Sequence, residues 1–222
     1  MTEKHEETNL TLVRMQGFWD KFQKPTLIGL AIIILGAGGW YGYNEYILKP
    51  KEEKAAEYLY KAQEYFSVDS SSLVLNGDGQ SKGVLFVLKN YSGTKAANLA
   101  KYYAGVSYLK LGDFNNAVKY LKDFSTRARQ VQLLAYGCLG DAYSELNKKE
   151  EAIENYKKAA TAFEKDENNS AEYLFRAALL EETNGKPKEA LELYKELKNK
   201  FPKTDKGFQA DKYIYRLSVE KN

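Results

Sequence analysis

The chain has 222 residues, of which 33 are basic and 30 acidic, for a net charge of +3. This near balance, with no basic patch, excludes nucleic acid as an expected partner. A lone cysteine, Cys138, excludes an intramolecular disulfide, argues against zinc and suits either side of a membrane.

Residues 1–9, MTEKHEETN, are polar and are expected to be unstructured. His5 in such a tail is expected to be inert. From Leu10 an apolar spacing begins, with Met15, Phe18, Trp19 and Phe22 at i, i+3, i+4 and i+7 on one helical face. It predicts an interfacial lead-in to a membrane span; a docking helix for another membrane protein is the other reading. Pro25 to Asn44 follows, with no charge between Lys24 and Glu45. Twenty such residues in a helix reach about 30 Å, the thickness of a bilayer's hydrocarbon core. Trp40, Tyr41 and Tyr43 cluster at one end and Phe18, Trp19 and Phe22 at the other, where amphipathic rings sit at head-group level. The reading is a tail at 1–24 and a single transmembrane helix at 25–46. A buried core helix, or a cleaved signal peptide cut near Gly36-Ala37-Gly38, would explain the same run. Its length and the mixed charge of the tail favour an uncleaved anchor. Arg14, Lys21 and Lys24 before the span face Lys49, Lys51 and Lys54 after it, so charge does not decide orientation. Gly38 and Gly42 form a GxxxG, which permits close helix approach and leaves a homo-oligomer open.

After the span, Lys49–Phe66 predicts a long helix striped by Ala55, Leu59, Ala62 and Phe66, with Pro50 placed to kink its start. Residues 67–83 are rich in serine, glycine, asparagine and aspartate and predict a structural loop. GDGQSKG lacks the order of a phosphate-binding loop and the ligand spacing of an EF-hand. Val84–Tyr91 predicts a short apolar helix.

The remainder repeats. AKYYAGVSYLKLGDFNNAVKYLKDF and LAYGCLGDAYSELNKKEEAIENYKKA match with Gly105 on Gly140, Tyr108 on Tyr143, Leu111 on Leu146 and Ala117 on Ala152, each 35 residues apart. A third unit, AEYLFRAALLEETNGKPKEALELYKEL, follows at an offset of 38, which predicts an insertion at Asp166–Asn169. A small residue in the first helix and an alanine in the second let two helices approach closely. Gly112 and Gly185 end first helices, as a left-handed cap requires. One pair cannot bury its apolar face, so the pairs must stack.

At GVSYLKLGDFNNAVKYL the sequence resembles a tetratricopeptide repeat (TPR), with the small residue, tyrosine, turn glycine and alanine in place. The early tryptophan of that pattern is replaced by Lys101, Tyr136 and Leu174, and Glu181 stands where the tyrosine should be. The resemblance implies an all-α chain: a single transmembrane helix, then a TPR-like α-solenoid over 49–222. A degenerate unit covers 51–92, three units cover about 98–131, 133–166 and 171–204, and a capping helix covers 206–219. It also implies a concave protein-binding groove lined by first helices, here Leu99, Tyr102, Val106, Leu109, Asp141, Ser144, Glu145, Phe175, Leu179 and Glu182. About half of these are expected to pack against neighbouring units instead. The lysines and asparagines with which one TPR class clamps a terminal carboxylate are replaced by Tyr102, Val106 and Asp141, so that mode is not expected. No catalytic constellation, metal site or cofactor motif is visible, and an enzyme is not expected.

Tail, span and repeats in this order are similar to the YfgM-type bacterial inner-membrane proteins. That resemblance implies a cytoplasmic N-terminus, periplasmic repeats, and as partners the SecYEG translocon and a PpiD-type chaperone. A TPR assembly factor of another envelope or secretion complex is the alternative reading.

Overall fold

The computed structural model describes the backbone of residues 2–219 and the side chains of Trp19 and residues 22–219. It divides into two compact units, residues 1–51 and 52–222.

The first unit is helical. Helix α1 (Thr2–Tyr43) is followed by a π-helical turn (Asn44–Leu48) and the start of α2 (Lys49–Ser67). The first nine residues, expected to be unstructured, are therefore helical from Thr2 on. Glu and Lys are good helix formers, and neither glycine nor proline occurs before Gly17. Pro25 lies inside α1. It cannot donate to the carbonyl four residues back, and the adjacent Thr26 hydroxyl donates to the Phe22 carbonyl in the same turn. Leu27, Ile28, Leu30, Ile32, Ile33, Ile34 and Leu35 are each more than half exposed, which rules out the buried core helix. Among the described residues, one helix near the N-terminus is long and apolar enough to cross a membrane. Trp19, Phe22, Trp40, Tyr41 and Tyr43 are exposed at its two ends, while Phe18 lies outside the described side chains. The π turn, closed by Lys49 N–H on the Asn44 carbonyl, stands directly before Pro50. There the chain has no N–H to continue an ordinary ladder.

The second unit contains the rest of α2, then α3 (Ser71–Asn76), α4 (Val84–Asn90), α5 (Lys95–Lys110), α6 (Phe114–Lys122), α7 (Arg129–Glu145), α8 (Lys149–Ala162), α9 (Glu167–Thr183), α10 (Pro187–Lys200) and α11 (Asp205–Val219). Among the described residues there is no strand, only an isolated bridge between Gly77 and Lys82. Helix α3 falls inside the stretch read as a loop. Its Val74 and Leu75 are buried, and a turn of helix is the local way to put both into the core with their backbone groups paired. The turn after it is self-contained. Asp78 accepts from the Tyr65 hydroxyl at 2.6 Å and from the amides of Gln80 and Ser81 at 3.0 and 2.7 Å.

Helices α5/α6, α7/α8 and α9/α10 are hairpin pairs, and α11 packs on α10 and α9. Each pair turns on a left-handed residue: Gly112 (φ 78°), Asn147 (φ 56°) and Gly185 (φ 75°). Asn147 thus fills the glycine position of the second unit, a substitution the left-handed region tolerates. Ala117, Ala152 and Ala190 are fully buried. A methyl at Gly105 would sit 2.4 Å from Leu121 Cγ, and one at Gly140 would sit 2.5 Å from Tyr156 Cδ1. The small-residue positions of the repeat are therefore contacts between paired helices.

The extra length of the third offset is not at Asp166–Asn169. Asp166 accepts from the Asn169 amide and caps α9. Helix α8 has 14 residues against 9 in α6, and its following connection is two residues shorter. The insertion is a turn of helix, because the added residues, Lys158 to Ala162, bring buried Ala159 and Ala160.

Candidate protein-binding groove

First helices α5, α7 and α9 present successive turns to one face, and their side chains build an open depression at the helix C-terminal ends. It has a volume of about 610 Å³ and is lined by Leu109, Lys110, Asp141, Ser144, Glu145, Tyr156 and Arg176 among others. A smaller neighbour shares Ser144, Tyr156 and Arg176 and adds Leu179. Five of the expected groove residues, Leu109, Asp141, Ser144, Glu145 and Leu179, thus line adjoining space.

The other five lie elsewhere. Val106 and Phe175 are buried, at 6% and 7% exposure. Val106 belongs to the layer formed by Leu121, Phe124, Ala135 and Leu139. Phe175 packs edge-on against Tyr213 of α11 at 5.2 Å. Both hold repeats together instead of lining the open face. Tyr102 is half-buried between Phe66, Tyr103 and Phe124, and burial pushes its phenol up to about 12. Leu99 packs against the same inter-repeat layers. Glu182 pairs with Arg216 at 2.5 Å and accepts from the Tyr194 hydroxyl at 3.3 Å, which ties α9 to α10 and α11.

Arg176 is the centre of the depression, and its guanidinium is already bonded within the chain. Its Nη1 donates to Asp141 Oδ1 at 2.6 Å and its Nε to Glu172 Oε1 at 2.8 Å. The guanidinium lies 5.5 Å from the centroid of the Tyr173 ring. Asp141 accepts a second bond from the Tyr156 hydroxyl at 2.8 Å. Burial, then the charge of Asp141, push the Tyr156 phenol up. The cation is committed to two carboxylates of its own chain. Tyr156, from the second helix of its pair, is a structural member of the groove. Its partner Asp141 lies 15 residues earlier, a separation that shows a contact only once α7 and α8 are known to be antiparallel.

Beside the groove, Cys138 is a partly exposed free thiol. Burial, with Asp141 adding to it, pushes its thiol up to about 12. Among the described residues there is no cluster of His, Cys, Asp and Glu able to hold a metal.

Tetratricopeptide repeat models match the chain at residues 99–128, 134–166 and 172–204. No curated protein sequence matches it. Among solved structures, it is similar to two crystal structures of the nearly identical TPR-like repeats of a protein described as a kinesin light chain from Podosopora anserina. One, of a variant of those repeats, is 18% identical with a TM-score of 0.52, covering 77% of this chain and 84% of that one. The other is 17% identical with a TM-score of 0.51 over the same shares. These likenesses concern the fold. Three stretches of the chain thus match tetratricopeptide repeats and stack as a TPR-like all-α solenoid, the architecture of a scaffold for protein–protein interaction.

Proposed function

We propose that the protein is a membrane-anchored TPR scaffold, ancillary to the SecYEG translocon and to a PpiD-type periplasmic chaperone. In this reading residues 1–24 are a cytoplasmic tail, 25–46 span the inner membrane, and the repeats within 49–222 act in the periplasm. The observation that carries it is the joining, in one chain, of an exposed apolar helix of membrane-spanning length to stacked tetratricopeptide repeats with an open face. The order of these parts, similar to YfgM-type proteins, supports the choice of partners. Leu109 and Leu179 supply apolar anchors, while Glu145 and Lys110 set register for a docked segment. Tethering raises the local concentration of partners that share the bilayer, so a weak groove suffices.

Photo-crosslinking groups placed at Leu109, Ser144 and Leu179 in intact cells, followed by mass spectrometry, test this reading. Translocon or chaperone subunits should be captured, and Leu109→Arg with Leu179→Arg should abolish the groove adducts without loss of the protein. Recovery of subunits from another envelope complex would give the assembly-factor reading its place. Capture of no protein at any position would overturn the scaffold reading itself.

A further inference from the structure

The last helix of a stacked solenoid has a neighbour on one side only, and its outer face is ordinarily polar. Helix α11 uses its inner face in the usual way. Gly207, Ala210 and Leu217 are buried. The Tyr213 ring lies 4.7 Å from that of Tyr194 in α10 and 5.2 Å from that of Phe175 in α9. Arg216 donates to Glu182.

The outer face is apolar instead. Phe208, Tyr215 and Val219 are 72%, 74% and 52% exposed. Among the described residues of the second unit, Tyr60, Val68 and Leu111 are the other large apolar side chains exposed by more than half, and none of them lies on α11. Phe208, Tyr215 and Val219 stand at i, i+7 and i+11, within about 40° of one another around the helix, so they form one stripe roughly 16 Å long. Two opposite charges sit between its rings. Asp211 follows Phe208 by three residues, and Lys212 precedes Tyr215 by three. Both are exposed. Asp211 pairs with Lys198 of α10 and still keeps 63% of its side chain in solvent.

We propose that this face docks on α11 of a second copy of the chain, antiparallel, about a two-fold axis midway between Asp211 and Lys212. The order of residues on the face selects that register. Phe208 and Tyr215 are equally far from the axis, so each Phe208 meets Tyr215 of the other copy. The same axis sets each Asp211 beside Lys212 of the other copy. Ring contacts and ion pairs therefore form together, whereas a parallel pair would set Asp211 on Asp211 and Lys212 on Lys212. A lipid surface is a poorer occupant, because Asp211 would be pressed against it beside the rings. The two-fold pair covers the face on both copies and closes, so it does not propagate into fibres. One helix crossing buries less than the about 1,600 Å² of a standard interface, so the pair is weak and depends on concentration. The inference does not rest on the groove, on the membrane or on the translocon.

The test uses the full chain in dodecyl maltoside micelles, with Cys138→Ser throughout so that the only thiols are the introduced ones. Chains with Phe208→Cys and chains with Tyr215→Cys, carrying tags of different size, are mixed in equal amounts and oxidised with copper phenanthroline. In the proposed register the two unlike positions face each other within disulfide reach, while like positions are about 10 Å apart along the axis. The mixed disulfide should exceed either like disulfide at least tenfold. Random collision, or association through the apolar helix, would give only about twice. Adding Asp211→Lys to both chains should cut the mixed product fivefold or more. Asp211→Lys in one chain with Lys212→Asp in the other should restore it, and because the restored mixture carries the same substitution, unfolding cannot account for the loss. Products in the statistical ratio, or a mixed yield indifferent to the charge changes, overturn the proposal.

Discussion

Gly140 illustrates how one missing carbon fixes a helix pair. A side chain there would meet the Tyr156 ring at 2.5 Å, and that ring is held in place by its bond to Asp141. The ring cannot step aside without giving up the bond, so Gly140→Ala should destabilise the fold by about 1–3 kcal/mol, read as a lowered midpoint in urea. Arg176 sets a pH dependence. Burial pushes the Glu172 carboxyl up, but the hydrogen bond and charge of Arg176, with Lys206 behind, hold it on balance below its ordinary value of 4.5. A carboxyl depressed in the folded state contributes stability that is present above 4.5 and lost as pH falls through the lower, folded value. Arg176→Met should therefore reduce the loss of stability on acidification below pH 4.5, in parallel thermal melts of variant and wild type. Cys138, partly exposed and with its thiol pushed up to about 12, should react more slowly with iodoacetamide at about pH 8 in the native protein than in about 6 M urea; equal rates in both states would contradict the raised thiol.

At the scale of the helix, the repeats make their sequence pattern physical. Ala152 lies at no exposure where α8 meets α7. Ala152→Trp should force these helices apart and cost about 1–3 kcal/mol or more, again by urea midpoint. The period of 35 residues was legible because Gly105, Ala117 and their counterparts meet a partner helix at every recurrence, so the spacing is fixed by contact. The extra turn of α8 was not, because three added residues in a helix and three in a loop shift the count equally. Helix α3 was missed for a related reason. Six residues set between Ser70 and Gly77 give too short a window for helical periodicity, and the flanking serines and glycines read as loop. The groove was half legible. Repeat position tells which turn of a first helix faces the open side, and Leu109, Asp141, Ser144, Glu145 and Leu179 lie there. It does not tell where the next unit closes over that side, which is how Val106 and Phe175 came to be buried. Gly137 carried a signal that went unread: a methyl there would lie 2.0 Å from the Tyr173 ring, so glycine at that position marks where the third unit leans on the second.

For the whole molecule, the apolar helix and the repeats make separate demands on their surroundings. Leu27 to Leu35 would expose a hydrophobic surface in water, whereas the repeat unit buries its own core. Protease added to spheroplasts should digest the region after Lys49 and spare the tail if the repeats are periplasmic. Protection of that region with the inner membrane intact would reverse the proposed orientation.

Repeats as alike as these carry a hazard that a single hairpin does not. During refolding, a unit of one molecule can take the place of its twin in another. Glu181 makes one junction unlike the rest. Where the other units have tyrosine, it is a buried carboxylate that accepts from Lys157 of α8 at 3.2 Å. Its second oxygen accepts no hydrogen bond and lies 3.8 Å from the Lys186 ammonium. Such a group is costly to bury and tolerates few neighbours. Helix α8 supplies Lys157 to it, and the turn that follows α9 supplies Lys186. Glu181→Tyr, which restores the residue of the other units, should then raise the melting temperature, read by circular dichroism of the full chain. In this molecule, the departure from the repeat pattern leaves one junction of the stack held by charge where the others carry a tyrosine ring.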